Sequence, residues 1–266
     1  MKKTIFLISI LMAVLFSLGS WSLTVSGQNS QAAQDTLKAH LKKAQILVQK
    51  GVKDEASKIL TNIMATNPDN REAVQWWLIA NMKRSPTGEV DAIPMLDSLS
   101  KSYPSNTGIL FYKIFIQAEH NMNKEALANV EQLILIQPDS ADNWLLKGQI
   151  LQALDKHSDA CTSFDKALEL NPSRTDVWAM KAASLSKLGQ FEESIALMNK
   201  LVELAPNSAE TYYNRGCIYC LSGDKKNALA DLKKAFSMNG ELKKYALTDA
   251  DLKTLYDDKE FKELTK

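Results

Sequence analysis

Cys217, Ile218, Tyr219 and Cys220 form a C-x-x-C, the sharpest suggestion of an enzyme in the chain. Such a pair performs thiol–disulfide exchange when its first thiol is held as a thiolate at a helix N-terminus. Here the motif falls about two turns inside a helical pattern, where the dipole offers little, and no β-α-β pattern surrounds it. Two small residues in a packed or groove-lining helix are the better explanation. Cys161 makes the cysteine total three, which is no disulfide framework; a Cys217–Cys220 pair in an oxidising compartment would be optional chemistry. His40, His120 and His157 are scattered, without the i, i+4 spacing that sets two metal ligands on one helix face. There is no Gly-rich phosphate loop and no G-x-S-x-G, and carboxylates such as Glu192, Glu193, Asp257 and Asp258 sit at turns and caps. The expectation is a chain with no catalytic residues, no metal and no cofactor.

The elements that would position these residues are set by a proline ladder. Pro68, Pro104, Pro138, Pro172 and Pro206 are spaced by 36, 34, 34 and 34 residues, and Gly240 stands one further interval on. A fixed period of this length marks one supersecondary unit copied along the chain. Between rungs the pattern is helical throughout, with no sustained alternation of the kind that makes strands. In 141–174, Trp144, Lys147, Gly148 and Leu151 mark a first helix, a polar break runs from Asp155 to Ser158, and Ala160, Phe164 and Ala167 mark a second. Asn171 and Pro172 end it, because proline disfavours a helical residue before it and brings no amide hydrogen.

The same grammar gives Trp178, Ala182, Gly189, Ser194, Met198 and Pro206 in one copy, and Tyr212, Gly216, Gly223, Ala228 and Leu232 in the next. It resembles the tetratricopeptide repeat, W-x2-L-G-x2-Y…A-x3-F…P. The resemblance covers about Leu37 to Leu242 and implies an all-α fold, a right-handed α-solenoid of six helix pairs: 37–70, 71–106, 107–140, 141–174, 175–208 and 209–242. The second copy departs most. Leu78 replaces the small residue, two extra residues fall in the Arg84–Asp91 turn, and Pro94 lies near the first turn of the second helix. Residues 243–266 read as a terminal cap of one or two short helices, begun at Thr248 and at Asp257 or Asp258, with Leu252, Leu255, Phe261 and Leu264 covering the last repeat.

The N-terminus has a different character. Met1, Lys2 and Lys3 precede the apolar run Ile5–Leu18, and small and polar residues follow. This is the layout of a signal peptide, 1–27, cut after Gly27 or earlier at Gly19 or Ser22; an uncleaved anchor is the alternative. The apolar run is short for a membrane span, so none is expected once the signal is removed. Residues 28–36 read as a flexible leader, with Asp35 or Thr36 capping the first helix. The whole chain carries a net charge of +1; without Lys2 and Lys3, 30 basic and 31 acidic side chains remain. That balance gives no electrostatic case for nucleic acid or an anionic membrane surface. The expectation is an exported protein of the periplasm or bacterial cell envelope.

In the family the chain resembles, the first helix of each pair lines an inner groove. By that resemblance the groove includes Leu41, Gln45, Gln75, Ile79, Phe111, Phe115, Leu145, Gln149 and Tyr213, together with Ala179, Ala183 and Cys217. The surface is mainly apolar and amide-bearing, without the Lys/Asn/Arg set that grips a peptide carboxylate in some family members. The functional expectation is a non-catalytic scaffold binding a peptide or partner helix. A self-associating structural component of an envelope assembly, and thus a homo-oligomer, is the second reading, and a thiol-redox protein is the third. The repeat phase itself has a direct check. Ala160→Arg places a long cation at a position reserved for a small side chain, and should destabilise the chain by about 3 kcal/mol; an unchanged thermal or urea midpoint would contradict the phase.

Overall fold

The computed structural model describes residues 31–81 and 92–266, and these fold as two compact units, one ending at His120 and the other beginning at Asn121. The expected signal segment and the Arg84–Asp91 turn lie outside the described residues. The first unit holds α1 (Gln31–Gln49), α2 (Lys53–Thr66), α3 (Arg71–Asn81), α4 (Ala92–Ser102) and α5 (Thr107–Glu119). The second holds α6 (Asn123–Ile136), α7 (Ala141–Ala153), α8 (His157–Leu170), α9 (Thr175–Lys187), α10 (Phe191–Leu204), α11 (Ala209–Leu221) and α12 (Lys225–Met238). It ends in α13 (Leu242–Ala246), a 3-10 turn (Ala250–Leu255) and α14 (Lys259–Leu264). The described residues contain helices and no strand. Consecutive helix pairs stack within each unit, so the fold is an all-α repeat solenoid.

In the pairs 141–174 and 209–242 a small residue meets a large one, Gly148 against Phe164 and Gly216 against Leu232. Ala44, Ala56, Ala126, Ala160, Ala182 and Ala228 are wholly buried, and so are the larger side chains four positions on from the second-helix alanines, among them Leu60, Val130, Phe164 and Leu232. The closest approach is at Gly148, where an added Cβ would stand 2.3 Å from Cε1 of Phe164. The ring takes the space that a side chain on α7 would need. Where serine replaces the alanine, at Ser194, its hydroxyl donates to the Ala182 carbonyl at 2.6 Å, so the polar atom is buried without penalty.

Among the described residues, the turns at Gly51, Asn121, Asp155, Gly189 and Gly223 are Schellman-type caps with one residue in the left-handed region. Asn121, Asp155, Gly189 and Gly223 occupy it at intervals of 34, with φ of 59°, 57°, 75° and 85°, and Gly51 does so in the first repeat. After α7, Lys156 N donates to Leu151 O and Asp155 N to Gln152 O, both at 2.9 Å; Gln190 N to Leu185 O and Asp224 N to Tyr219 O repeat the first of these.

Ion pairs tie the first helix of a repeat to the second helix of the repeat before. Lys113 meets Asp97 at 2.8 Å, Lys147 meets Glu131 at 3.0 Å and Lys181 meets Asp165 at 2.7 Å, each carboxylate lying 16 positions earlier. The ladder changes at its last rung. Asn199 stands where a carboxylate is due, and Arg215 donates to its Oδ1 at 2.8 Å while turning Nε and Nη2 onto the buried carboxylate of Asp231, ahead in its own pair.

Two boundaries differ from the sequence reading, while Pro94 and Asp258 stand where it has them. The first helix begins at Gln31, not near Leu37, so 31–36 are helical rather than a leader; the segment is rich in alanine and glutamine, and Gln31 Nε2 donates to Asp35 Oδ1 one turn on at 3.0 Å. Pro94 lies in the first turn of α4, where its missing amide hydrogen has no intrahelical acceptor to serve. At the C-terminus, Asp249 rather than Thr248 caps the 3-10 turn, its carboxylate accepting from Asp251 N at 3.0 Å, while the Thr248 hydroxyl bonds back to Tyr245 O. Asp258 caps α14 by accepting from Glu260 N and Phe261 N. Leu252, Leu255 and Phe261 are buried in one cluster with Leu229, Leu232 and Phe236 of α12.

The left-handed position carries its own prediction. An L-residue there bears a steric cost that glycine avoids, so Asp155→Gly should stabilise the second unit by about 0.5–1 kcal/mol. Urea unfolding of the variant measures it, and an unchanged or lowered midpoint would refute it.

Candidate partner-binding cleft

Within the second unit, the first helices of three successive repeats and the C-terminal segment enclose a cleft of about 430 Å³. Its floor is α9, where Ala179, Met180 and Ala183 recur on one helical face and leave room because two of them end at Cβ. One wall is α11, with Tyr213, Cys217 and Leu221 one turn apart and Asn214 and Ile218 beside them. Gln152 closes the side toward α7, its amide donating to Met180 O at 3.0 Å and to Ser184 Oγ at 2.8 Å. Asp249 and Asp251 close the other.

Asp249 fastens the C-terminal segment to the wall. Its Oδ2 accepts from the Tyr213 hydroxyl at 2.7 Å and from the Cys217 thiol at 3.7 Å, and its backbone carbonyl accepts from Tyr256 at 2.8 Å. Three residues past Cys217, the Cys220 sulfur lies 3.1 Å from Thr254 Oγ1. Lys187, at the end of α9, bridges to Asp251 at 2.5 Å. At the cleft's opposite end the Arg174 guanidinium bonds to both oxygens of Asp176 and to Asp142. Those bonds hold the Asp176 carboxyl below its usual range.

The thiols of the C-x-x-C are therefore fold elements. Both are buried, and burial followed by the charge of Asp249 pushes Cys217 well above a thiol's ordinary value near 9. Burial raises Cys220 as well. A nucleophilic thiolate needs the reverse environment, a cation or a helix N-terminus. Among the described residues no group of three or more His, Cys, Asp or Glu could hold a metal, and no helix is long and apolar enough to cross a membrane.

The residues expected from sequence to line the groove divide by place. Tyr213, Ala179, Ala183 and Cys217 line the cleft. Leu145 packs in a core cluster with Phe164 and Val177, and half-buried Gln149 sends its amide toward the Met180 sulfur at 3.5 Å. In the first unit Leu41 belongs to the core, Gln75 is buried and Ile79 and Phe115 are half-buried. Gln45 bonds to Glu72, and the Phe111 ring carries the Arg71 guanidinium 3.9 Å from its centroid. Asp176, Lys187, Asp249 and Asp251 were missed. Asp176 and Lys187 sit on the same helix as Ala179 and Ala183, so helical phase could have found them; Asp249 and Asp251 reach the cleft through tertiary docking alone.

Models of the tetratricopeptide repeat family match residues 141–174, 163–196 and 197–230. Residues 141–230 thus carry tetratricopeptide repeats, and the cleft is built largely from them. No curated protein matches the chain. Among solved structures, a tetratricopeptide repeat protein from Parabacteroides merdae ATCC 43184 is 21% identical, with a TM-score of 0.59 over 87% of this chain and 98% of its own. A crystal structure of MamA is 19% identical, with a TM-score of 0.51 over 58% of this chain and 90% of its own. At these identities the likeness is one of fold.

The raised thiols predict a pH dependence. Above the unfolded-state value of about 8.5 the unfolded chain releases thiol protons that the folded chain keeps, so stability should fall as pH rises from there. Urea midpoints at pH 7.5, 9 and 10 should decline, and Cys217→Ala should shallow the decline; equal slopes in the two proteins would rule out Cys217 as the source.

Proposed function

We propose that this protein is an exported, non-catalytic interaction scaffold of the cell envelope that holds a peptide, or an extended segment of a partner protein, in the cleft between α9, α11 and the C-terminal segment. The observation that carries this reading is the floor. Ala179 and Ala183 leave the inner face of α9 open between flanking walls, and Ala183 is exposed although it lies amid buried Ala182, Ser184 and Leu185. Concave, mostly apolar sites with a few polar groups at the margin are the usual form of a binding pocket. Repeat arrays provide such surfaces because each repeat adds one helix to the same face. Export is the reading of the basic and apolar N-terminal segment, and a mature chain beginning at Gln28 is its direct expectation.

Ala183→Arg fills the floor from an exposed position and should leave the fold intact. A protein captured from the envelope fraction by wild type and by a control variant on the exposed side of α10, Glu203→Lys, should be lost or reduced at least about tenfold with Ala183→Arg, a change of about 1.4 kcal/mol. Equal capture by all three would overturn the cleft as the binding surface. Should the captured protein prove to be a second copy of this chain, light scattering of the purified protein would show a dimer that Ala183→Arg dissolves.

A further inference from the structure

The charges around the cleft are unbalanced. Asp176, Asp249 and Asp251 line it against one ammonium, Lys187. Asp176 shares the Arg174 guanidinium with Asp142, so one cation there serves two carboxylates. Asp251 has Lys187, in a pair that is partly open to solvent on both sides. Asp249 has hydrogen-bond donors only, a phenol, a thiol and a backbone amide, all of them neutral. Among the described residues no Lys or Arg forms a salt bridge with it. Counting Asp142 and Arg174 with the lining residues, two negative charges remain uncompensated. A second observation is independent of charge. Ser186, which lines the cleft and is 5% exposed, keeps its Oγ buried without a hydrogen-bond partner. Buried hydroxyls are ordinarily paired, and one left open beside a cleft suits a ligand group that would complete it.

We infer that the segment this cleft takes is cationic: an extended stretch carrying lysine or arginine beside small or aliphatic residues. The inference rests on the cleft being the binding site and names the partner's chemistry. The aliphatic stem of a lysine or arginine would lie along the Ala179 and Ala183 floor, with the charged head reaching Asp249 or Asp251 at the rim. An incoming ammonium or guanidinium could also replace Lys187 on Asp251, because that pair is exposed enough to exchange. An acidic segment would meet the same carboxylates at close range and be rejected by like charge.

The test uses the full chain and two synthetic 12-residue peptides of the same alanine, leucine and glycine sequence, one with lysine and one with glutamate at three spaced positions, each dye-labelled and followed by fluorescence anisotropy. The lysine peptide should bind about tenfold or more tightly than the glutamate peptide, and the preference should shrink at 300 mM salt relative to 50 mM. Asp176→Asn with Asp251→Asn should remove most of it, with circular dichroism showing whether the fold is kept. Lys187→Gln acts in the opposite sense and should tighten lysine-peptide binding several-fold, so the inference stays exposed even if the paired variant unfolds. Equal binding of the two peptides, a preference for glutamate, or indifference to Lys187→Gln would overturn it while leaving a neutral or acidic partner for the cleft. Binding of neither peptide, together with unchanged protein capture by Ala183→Arg, would remove the cleft itself.

Discussion

Everything in this chain depends on how near two antiparallel helices can come. An alanine or glycine on one helix admits a large side chain from its neighbour, and Phe164 lying against Gly148 is the extreme case. Where the small residue recurs at its place, successive pairs present similar ridges and grooves to one another. Some polar atoms caught in these seams find a partner within the fold. The Ser194 hydroxyl finds a carbonyl across its pair, and Asn106, buried in the first unit, caps α5 through Oδ1 while Nδ2 donates to Met64 O at 2.9 Å.

That constraint explains what could be read without coordinates. Ala160, Phe164, Ala167 and their counterparts had to recur because a repeated unit has one geometry, and recurrence is visible in a single sequence. The proline rungs were equally legible, since each follows a second helix that must stop. The start of α1 was misjudged because alanine and glutamine support a helix without any periodic marker. Thr248 was preferred as a cap on residue type, whereas the adjacent carboxylate of Asp249 accepts the amide and is also drawn in by Tyr213.

The site was legible only in part, for a reason specific to first helices. Each has one stripe packed against its neighbours and another turned inward, and a single residue of drift separates them. Leu145 packs with Val177 and Phe164, whereas Ala179, 34 positions later, lines the cleft. The acidic rim was hidden for a different reason. Asp249 and Asp251 come from a segment outside the period, and they reach α9 and α11 only once the C-terminal segment has folded back. A repeat with its own tail laid along it has gained chemistry that the repeat grammar does not encode.

The ion pairs between successive repeats have a consequence for how such a chain can evolve. Lys113, Lys147 and Lys181 each look backward to a carboxylate sixteen residues earlier, so these repeats are nearly interchangeable links. The last is not. Arg215 looks forward to Asp231 and asks only an amide of its predecessor, Asn199. Place that repeat in mid-array, and the lysine of its successor would meet a lysine instead of an acid, since Lys233 rather than a carboxylate stands at the equivalent position in α12. A copy added after that repeat would lack the ion pair that joins the others.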